Sequence, residues 1–143
     1  MKLSDEILRS YREARYVIED PEGHTDVTMD AACVFNPRLQ HQMRGTSGVI
    51  ATAWNPFGEV YPFEVNRRRN DEFAERLLQR DKNLLGAFGE AHDQSWREDG
   101  FFVHPMNREE AVQLCVEFEQ NAVILVSDAG PAELVFHPDI SPD

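Results

Sequence analysis

The sequence predicts an α+β fold: a two-layer sandwich with a ferredoxin-like β-α-β-β-α-β core at about residues 48–126. Two observations support this class. From residue 49 onward, apolar runs of strand length and helical patterns follow one another in the order of a split βαβ unit. The chain also has the length of a single domain, 1–143, that can bury a core of its own. An N-terminal helix and strand segment precedes this core, and one added strand follows it.

The sequence pattern of residues 4–43 predicts two helices with strands between them. Ser4 is a favourable N-cap for the first helix, and Asn36-Pro37 places an N-cap and a first-turn proline at the start of the second. The predicted elements are a helix over 4–14, a strand over 15–19, a turn at 20–23, a weak strand over 26–31 and a helix over 37–43.

The remaining chain supplies the predicted sheet. The elements are strands at 49–54, 84–88, 101–104, 121–126 and 132–136, helices at 63–80 and 107–119, a polar irregular stretch at 89–100 and a frayed tail from 137. In this order the first and third strands are central, and both are markedly apolar. Two helices cover one face of the sheet. We expect the N-terminal segment to cover the other face, with a second subunit as the alternative.

Composition and charge narrow the class of partner. The net charge is −12, and residues 83–143 hold only two Lys or Arg against twelve Asp or Glu. That imbalance disfavours nucleic acid, whose binding depends on neutralised phosphates. It favours simple solubility, with an acidic surface for a protein partner as the alternative. No apolar run has membrane-spanning length, and Cys33 and Cys115 have no metal or redox spacing, so we expect a cytoplasmic protein.

The most specific feature is Thr52-Ala53-Trp54-Asn55-Pro56, where an apolar strand breaks into a polar loop. The helix that follows carries Asn66 and Asn70 on the stripe that faces the core, together with Phe63, Phe73 and Leu77. A buried amide must find hydrogen-bond partners, either in the backbone of the 55–62 loop or in a ligand. We therefore predict a polar pocket at this loop. Its predicted ligand-binding residues are Trp54, Asn55, Asn66, Asn70 and Trp96.

Ser95-Trp96-Arg97-Glu98 is the second candidate, in the polar stretch before the third core strand. Glu98 is the one catalytic candidate, as a general acid or base if it is buried near the asparagines. It could equally pair with Arg97 or another exposed arginine. The five histidines form no paired ligand spacing, and no phosphate-binding glycine loop or nucleophile elbow is present, so we predict no metal and no cofactor.

Several of these segments together resemble a bacterial family catalogued as domain of unknown function 3293. The carriers are Tyr11-Arg12, Arg15-Tyr16, Thr52-Ala53-Trp54-Asn55-Pro56, Asn66 with Asn70, Trp96 with Glu98, Gln120-Asn121-Ala122 and Ala132-Glu133-Leu134-Val135. The resemblance covers nearly the whole chain, and residues 22–45 match least. It implies a small, single-domain, cytoplasmic bacterial protein and no particular activity.

Three functional hypotheses follow from the sequence. The first is a ligand-binding or interaction module with its pocket at the Trp54–Pro56 loop, binding a small molecule or a protein as a monomer or homodimer. The second is a small hydrolase or transferase with Glu98 as acid or base. The third is an acidic module that binds a protein partner through residues 90–119.

Overall fold

Seven strands form one antiparallel sheet in the computed structural model, which describes residues 1–141. Four α-helices and one turn of 3₁₀ helix at Pro56–Gly58 accompany it within those residues. The elements are α1 Asp5–Glu13, β1 Arg15–Glu19, β2 Thr25–Val27, α2 Pro37–Met43, β3 Ser47–Ala51, α3 Phe63–Gln79, β4 Asn83–Glu90, β5 Arg97–His104, α4 Arg108–Glu117, β6 Ala122–Ser127 and β7 Glu133–Phe136. The predicted α+β class is confirmed.

The sheet has the strand order β2-β1-β4-β5-β3-β6-β7, and every neighbouring pair is antiparallel. It curls so that its two edges approach each other. The backbone N–H of Ala132, just before β7, donates to the Thr28 carbonyl, just after β2, over 3.1 Å. An isolated bridge joins Ala32 to Pro131 beside it. We call the face enclosed by this curl the inner face, and the opposite face the outer face.

Helices α3 and α4 cover the outer face. Both carry the apolar stripes that the sequence predicts, apart from one residue of α3, and α4 begins at its predicted cap residue. The Asn107 side chain accepts from the Glu110 N–H, and the Glu110 carboxylate accepts from the Asn107 N–H, which completes a capping box. On α3 the inward stripe is buried from Asn66 to Leu77. Phe63 departs from the prediction, because it stands at the first turn, beyond the sheet, and is 63% exposed.

The N-terminal segment covers much of the inner face. Leu39 and Met43 of α2 are fully buried there against Phe102, Val126 and Ile18 from three different strands. The N-cap that starts α2 is also as predicted, since the Asn36 side chain accepts from the Leu39 N–H. Helix α1 stands further along the same face. The N-terminal segment thus covers much of the second face of the sheet within one chain, as expected.

The structure corrects two boundaries near the sheet centre. Strand β3 ends at Ala51 instead of residue 54, and β5 begins at Arg97 instead of 101. Residues 97–100 pair with β4 as far as Glu90, although their polar composition predicted a loop. Strand β5 therefore continues beyond the end of its neighbour β3. That mismatch in length leaves backbone groups and space beside Glu98 and Asp99.

The C-terminal segment is also ordered where the sequence predicts fraying. Ile140 is buried with Leu3 and Leu8, and the Ser141 N–H donates to the Met1 carbonyl over 2.7 Å. This apolar contact ties residues 137–141 to the start of the chain; the predicted fraying at 142–143 falls outside the described residues. None of the helices in residues 1–141 is both long enough and apolar enough to cross a membrane.

Gly100 is a position where only glycine fits. A Cβ there would lie 2.3 Å from the Ala51 carbonyl oxygen, whereas a Cβ at Gly86, one strand away, would meet nothing closer than 3.6 Å. We expect Gly100→Ala to lower the free energy of unfolding by about 2–3 kcal/mol, the usual cost of forced overpacking. Gly86→Ala, the matched control, should change it by under about 0.5 kcal/mol. Denaturant titration of both variants measures this, and equal effects would show that the close approach at Gly100 is wrong.

Candidate functional site

Asn70 joins the two chain segments that separate where β3 ends. Its Oδ1 accepts from the Ala53 N–H over 2.9 Å, and its Nδ2 donates to the Asp99 carbonyl over 2.8 Å. The Thr52 hydroxyl donates to the same Asp99 carbonyl over 2.7 Å. These are backbone groups that the ladder between β3 and β5 would otherwise have paired. The amide therefore replaces sheet hydrogen bonds beyond the end of β3.

Asn66 holds the next part of the loop in the same way. Its Oδ1 accepts from the Asn55 N–H over 2.8 Å, and its Nδ2 donates to the Asn55 Oδ1 over 2.7 Å and to the Tyr61 carbonyl. Asn55 and Phe57 have positive φ angles of 45° and 52°, which non-glycine residues rarely adopt. The amide contacts fix this irregular backbone, and Arg69 adds a bond from its Nε to the Ala53 carbonyl.

The predicted pocket roofed by Asn66 and Asn70 is therefore corrected in its position. Each polar atom of both amides is bonded to protein, and both side chains face the loop on the α3 side. Trp54 likewise packs edge-on against Phe63, with ring centroids 5.6 Å apart. A cavity does exist beside this loop, but on the other face of the sheet.

The cavity lies on the inner face, under helix α1, and has a volume of about 320 Å³. Glycines at 89 and 100 keep its floor open, since a Cβ at Gly89 would approach the Tyr16 ring to 2.9 Å. The 3₁₀ turn forms part of its rim. Its aliphatic surface comes mainly from Ile7, Ile50, Ala87, Ala122, Ile124 and Leu134, and its polar and aromatic groups from Ser10, Tyr11, Tyr16, Thr52, Asn55, Phe57, Trp96, Glu98, Gln120 and Asn121.

Glu98 is the ionisable acid of this cavity. It lies on β5 opposite Gly89, and strand alternation turns its side chain to the inner face with Phe102. Its carboxyl forms no hydrogen bond or ion pair with any residue in 1–141. Burial raises the pKa of Glu98 to about 7 from its ordinary 4.5. At neutral pH the group is thus divided between its acid and carboxylate forms.

Arg97 does not serve as the partner of Glu98. As the neighbouring strand residue it points to the outer face, where it pairs with Asp99 at 2.9 Å and stacks over the Phe88 ring at 3.8 Å. The alternative that Glu98 pairs with Arg97 or another arginine is thus not found in residues 1–141. Glu98 lies on strand β5 rather than in the predicted polar loop, and its side chain faces the inner side of the sheet, away from the amides of Asn66 and Asn70.

Two tyrosines complete the polar wall. The Tyr16 hydroxyl donates to the Tyr11 carbonyl over 2.5 Å, and the Asn121 amide donates to the Tyr11 hydroxyl over 3.3 Å. Burial is the main cause that raises the pKa of both phenols, and the nearby Glu98 charge raises them further. Both therefore remain protonated at neutral pH. This leaves Glu98 as the group in the cavity wall that changes charge near physiological pH.

Of the predicted site residues, three line the cavity and three do not. Asn55, Trp96 and Glu98 contribute to it. Trp54, Asn66 and Asn70 lie outside it. Sequence reasoning did not assign roles to Tyr11, Tyr16 or Asn121, although they stand in segments that carry the family resemblance. The available signal was a polar residue on an otherwise inward-facing stripe, as at Tyr11 of α1.

The other sequence candidates form no second site in the described chain. No group of three or more His, Cys, Asp or Glu in residues 1–141 is placed to hold a metal ion. Acidic residues of the 90–119 region are largely in ion pairs rather than free on one face. The pairs are Glu90 with Arg15, Asp99 with Arg97, Glu110 with Lys82, Glu117 with Arg76 and Arg80, and Glu119 with Arg69.

These features define a small α+β protein whose curled antiparallel sheet encloses a polar-lined cavity beside a braced loop. The family model described as "Protein of unknown function (DUF3293)" matches residues 51–123, about half of the chain. The chain belongs to that family. The match includes the braced loop, Trp96, Glu98 and Asn121, but not the two tyrosines nor the C-terminal strand on which the resemblance also rested. No curated protein and no solved structure matches the chain.

The bracing role of Asn70 predicts a large loss of stability on truncation. Asn70→Ala leaves the Ala53 N–H and the Asp99 carbonyl without this partner, and unmet buried groups cost about 1–3 kcal/mol each. We expect the free energy of unfolding to fall by about 2–4 kcal/mol. Asn83→Ala, an exposed asparagine without a side-chain bond in residues 1–141, is the control and should be near neutral. A small effect at Asn70 in denaturant titration would contradict the bracing role.

Burial of Glu98 predicts a specific pH dependence of stability. The unfolded chain releases this proton near its ordinary pKa of 4.5, and the folded chain holds it until about 7. Stability should therefore decline as pH rises from about 4.5 to 7. Glu98→Gln removes this decline, so its advantage over the natural protein should grow by roughly 2 kcal/mol between about pH 5 and pH 8, after allowance for solvent. Unfolding titrations at both pH values test this; a constant difference would place the carboxyl in water.

Proposed function

We propose that the protein is a small-molecule-binding module whose ligand occupies the inner-face cavity, with Glu98 as its polar anchor. The observation that carries this proposal is a carboxyl, raised in pKa by burial, without a partner in a cavity of ligand size. Buried charged groups are normally paired, because an unpaired one lowers stability. A cavity with a few convergent polar groups and one perturbed acid is the usual character of a ligand site.

In this proposal the ligand enters the cavity through the opening at its rim. Phe57 and Gly58 of the 3₁₀ turn face α1 across the opening, and Phe57 is 39% exposed. The turn is fixed by a bond from the Phe57 N–H to the Glu119 carbonyl and, through Asn55, by the Asn66 amide. In this proposal the asparagines support the site without contacting the ligand. In this proposal the Trp54–Pro56 loop contributes to the rim of the cavity.

We also propose that the sheet contains a ferredoxin-like core and that the protein is cytoplasmic. The strand order β4-β5-β3-β6, with α3 and α4 connecting β3 to β4 and β5 to β6, supports a ferredoxin-like core within the larger sheet. Cys33 and Cys115 are free and buried, which is compatible with a reducing compartment such as the cytoplasm.

A second candidate function is a hydrolase or transferase that uses Glu98 as general acid or base. The observation in its favour is the pKa of about 7, which suits proton transfer at neutral pH. The same group would then act on a substrate rather than only hold it. Turnover of a bound compound that is lost in Glu98→Gln, with binding retained, would favour this candidate.

The binding proposal is tested by filling the cavity from α1. Ser10 lines the cavity, and its hydroxyl bonds only locally, to the Ile7 carbonyl. Ser10→Trp places an indole where the ligand would lie. Arg9→Trp, on the exposed side of the same helix, is the matched control. We expect a thermal-shift screen of small metabolites to give hits with the natural protein and with Arg9→Trp that disappear with Ser10→Trp.

The size of the expected shift in Tm follows from the ratio of ligand concentration to Kd. A ligand at ten times its Kd stabilises the folded state by about 1.4 kcal/mol, or on the order of 4 °C in Tm for a domain of this length. Hits that persist in folded Ser10→Trp would place the binding elsewhere. A screen at millimolar concentrations without any hit would contradict the proposal.

A further inference from the structure

We propose that the cavity selects small organic amines, holding a single ammonium group against Glu98 with the apolar body of the molecule among the aromatic and aliphatic walls. This inference rests on the proposed binding function and names its ligand class. Three features of the cavity support it independently: the sign of its charge, the nature of its aromatic walls and its free acceptors.

The charge of the lining excludes anionic ligands. The cavity wall contains one carboxyl and two protonated phenols, and no Lys, Arg or His among the described lining residues. The nearest strand arginine, Arg97, is committed to Asp99 on the opposite face of the sheet. A carboxylate or phosphate ligand would therefore meet a like charge with no cation to balance it. A cationic ligand would instead supply the partner that Glu98 lacks.

The walls also suit a cation with an apolar body. Rings of Tyr11, Tyr16, Trp96 and Phe57 line the cavity, and aromatic faces attract ammonium groups that are removed from water. Ile50 and Ile124 supply aliphatic surface on the floor. The volume of about 320 Å³ is at the lower end of the range for ligand pockets, which limits the ligand to a small molecule.

The lining offers free hydrogen-bond acceptors to a cationic ligand. An ammonium group has up to three N–H donors and no acceptor. Besides Glu98, the Oδ1 of Asn121 and the Oε1 of Gln120 accept no hydrogen bond from residues 1–141. Their amide nitrogens are already used, that of Asn121 on the Tyr11 hydroxyl and that of Gln120 on the Trp54 and Phe118 carbonyls. These free acceptors complement the N–H groups of an ammonium; the Tyr11 hydroxyl, the Trp96 indole N–H and the Asn55 amide nitrogen also donate to no residue in 1–141.

Binding of a cation should also release a proton. A bound ammonium favours the carboxylate form of Glu98, so near pH 6 the acid must ionise when the amine binds. The titratable groups facing Glu98 are Tyr11 from α1 and Tyr16 from β1, and both stay neutral in this range. The floor strand β4 presents Gly89 opposite it, and Arg97 and Asp99 on β5 face outward. The released proton would accordingly come from Glu98.

The test uses three probes of one shape: benzylamine, benzyl alcohol and benzoate. Calorimetry near pH 6, in two buffers of different ionisation enthalpy, reports both affinity and proton release. We expect benzylamine to bind at least about tenfold more tightly than either other probe and to release most of one proton. Glu98→Gln should lose both the preference and the release. Glu109→Gln, which removes one exposed charge outside the cavity, should retain both.

The outcomes separate this inference from the binding proposal itself. Benzyl alcohol or benzoate binding as well as benzylamine, in a manner that Ser10→Trp abolishes, would overturn the amine inference and leave the cavity function standing. Equal benzylamine binding by Glu98→Gln would also overturn it, because attraction to the net charge of −12 would then suffice. If none of the three binds and the metabolite screen gives no hit, the proposed function fails as well.

Discussion

The structure around the cavity depends on one amide, that of Asn70. Strand β5 runs on to Arg97 while its neighbour β3 stops at Ala51, so the sheet loses its ladder there. Asn70 reaches across this gap from α3 and bonds to both separated segments, to the Ala53 N–H and the Asp99 carbonyl. Unpaired buried backbone groups are costly, and an amide can replace both a donor and an acceptor at once. This allows the strands to part without exposing the core.

On the inner face of the sheet, the same gap between β3 and β5 leaves space for the cavity. Glu98 and Gly100 are the residues on either side of Asp99, and the period of the strand turns them both away from Asn70 and toward the cavity. A carboxyl placed there loses much of its hydration and gains no protein partner, which raises its pKa. The outer-face hydrogen bonds and the inner-face acid are thus two consequences of one break in strand pairing.

The elements that could be predicted from the sequence were those with strong local signals. The β1 strand, α2 with its Asn36 cap and α4 with its Asn107 cap agree closely with expectation, because caps and periodicity are properties of neighbouring residues. Residues 97–100 were missed because a polar run can pair as a strand when a partner strand is long enough, and that depends on tertiary structure. The curl of the sheet could not be predicted either, since it rests on contacts between residues about a hundred positions apart, such as Thr28 and Ala132.

In the candidate site, too, local signals could be read from the sequence, whereas features that depend on tertiary structure could not. The polar residues on the α3 stripe, Asn66 and Asn70, correctly marked where the backbone is irregular, but a satisfied buried amide marks support for a site rather than the site itself. Glu98 was recognised as a candidate acid, yet its environment depends on which face of β5 it occupies, and a one-residue change of register would reverse that face. Tyr11 and Tyr16 reach the cavity from α1 and β1, so their proximity to Glu98 arises only when the sheet has folded. A polar group is therefore most informative about function where the completed fold leaves it partly buried and unpaired, as at Glu98.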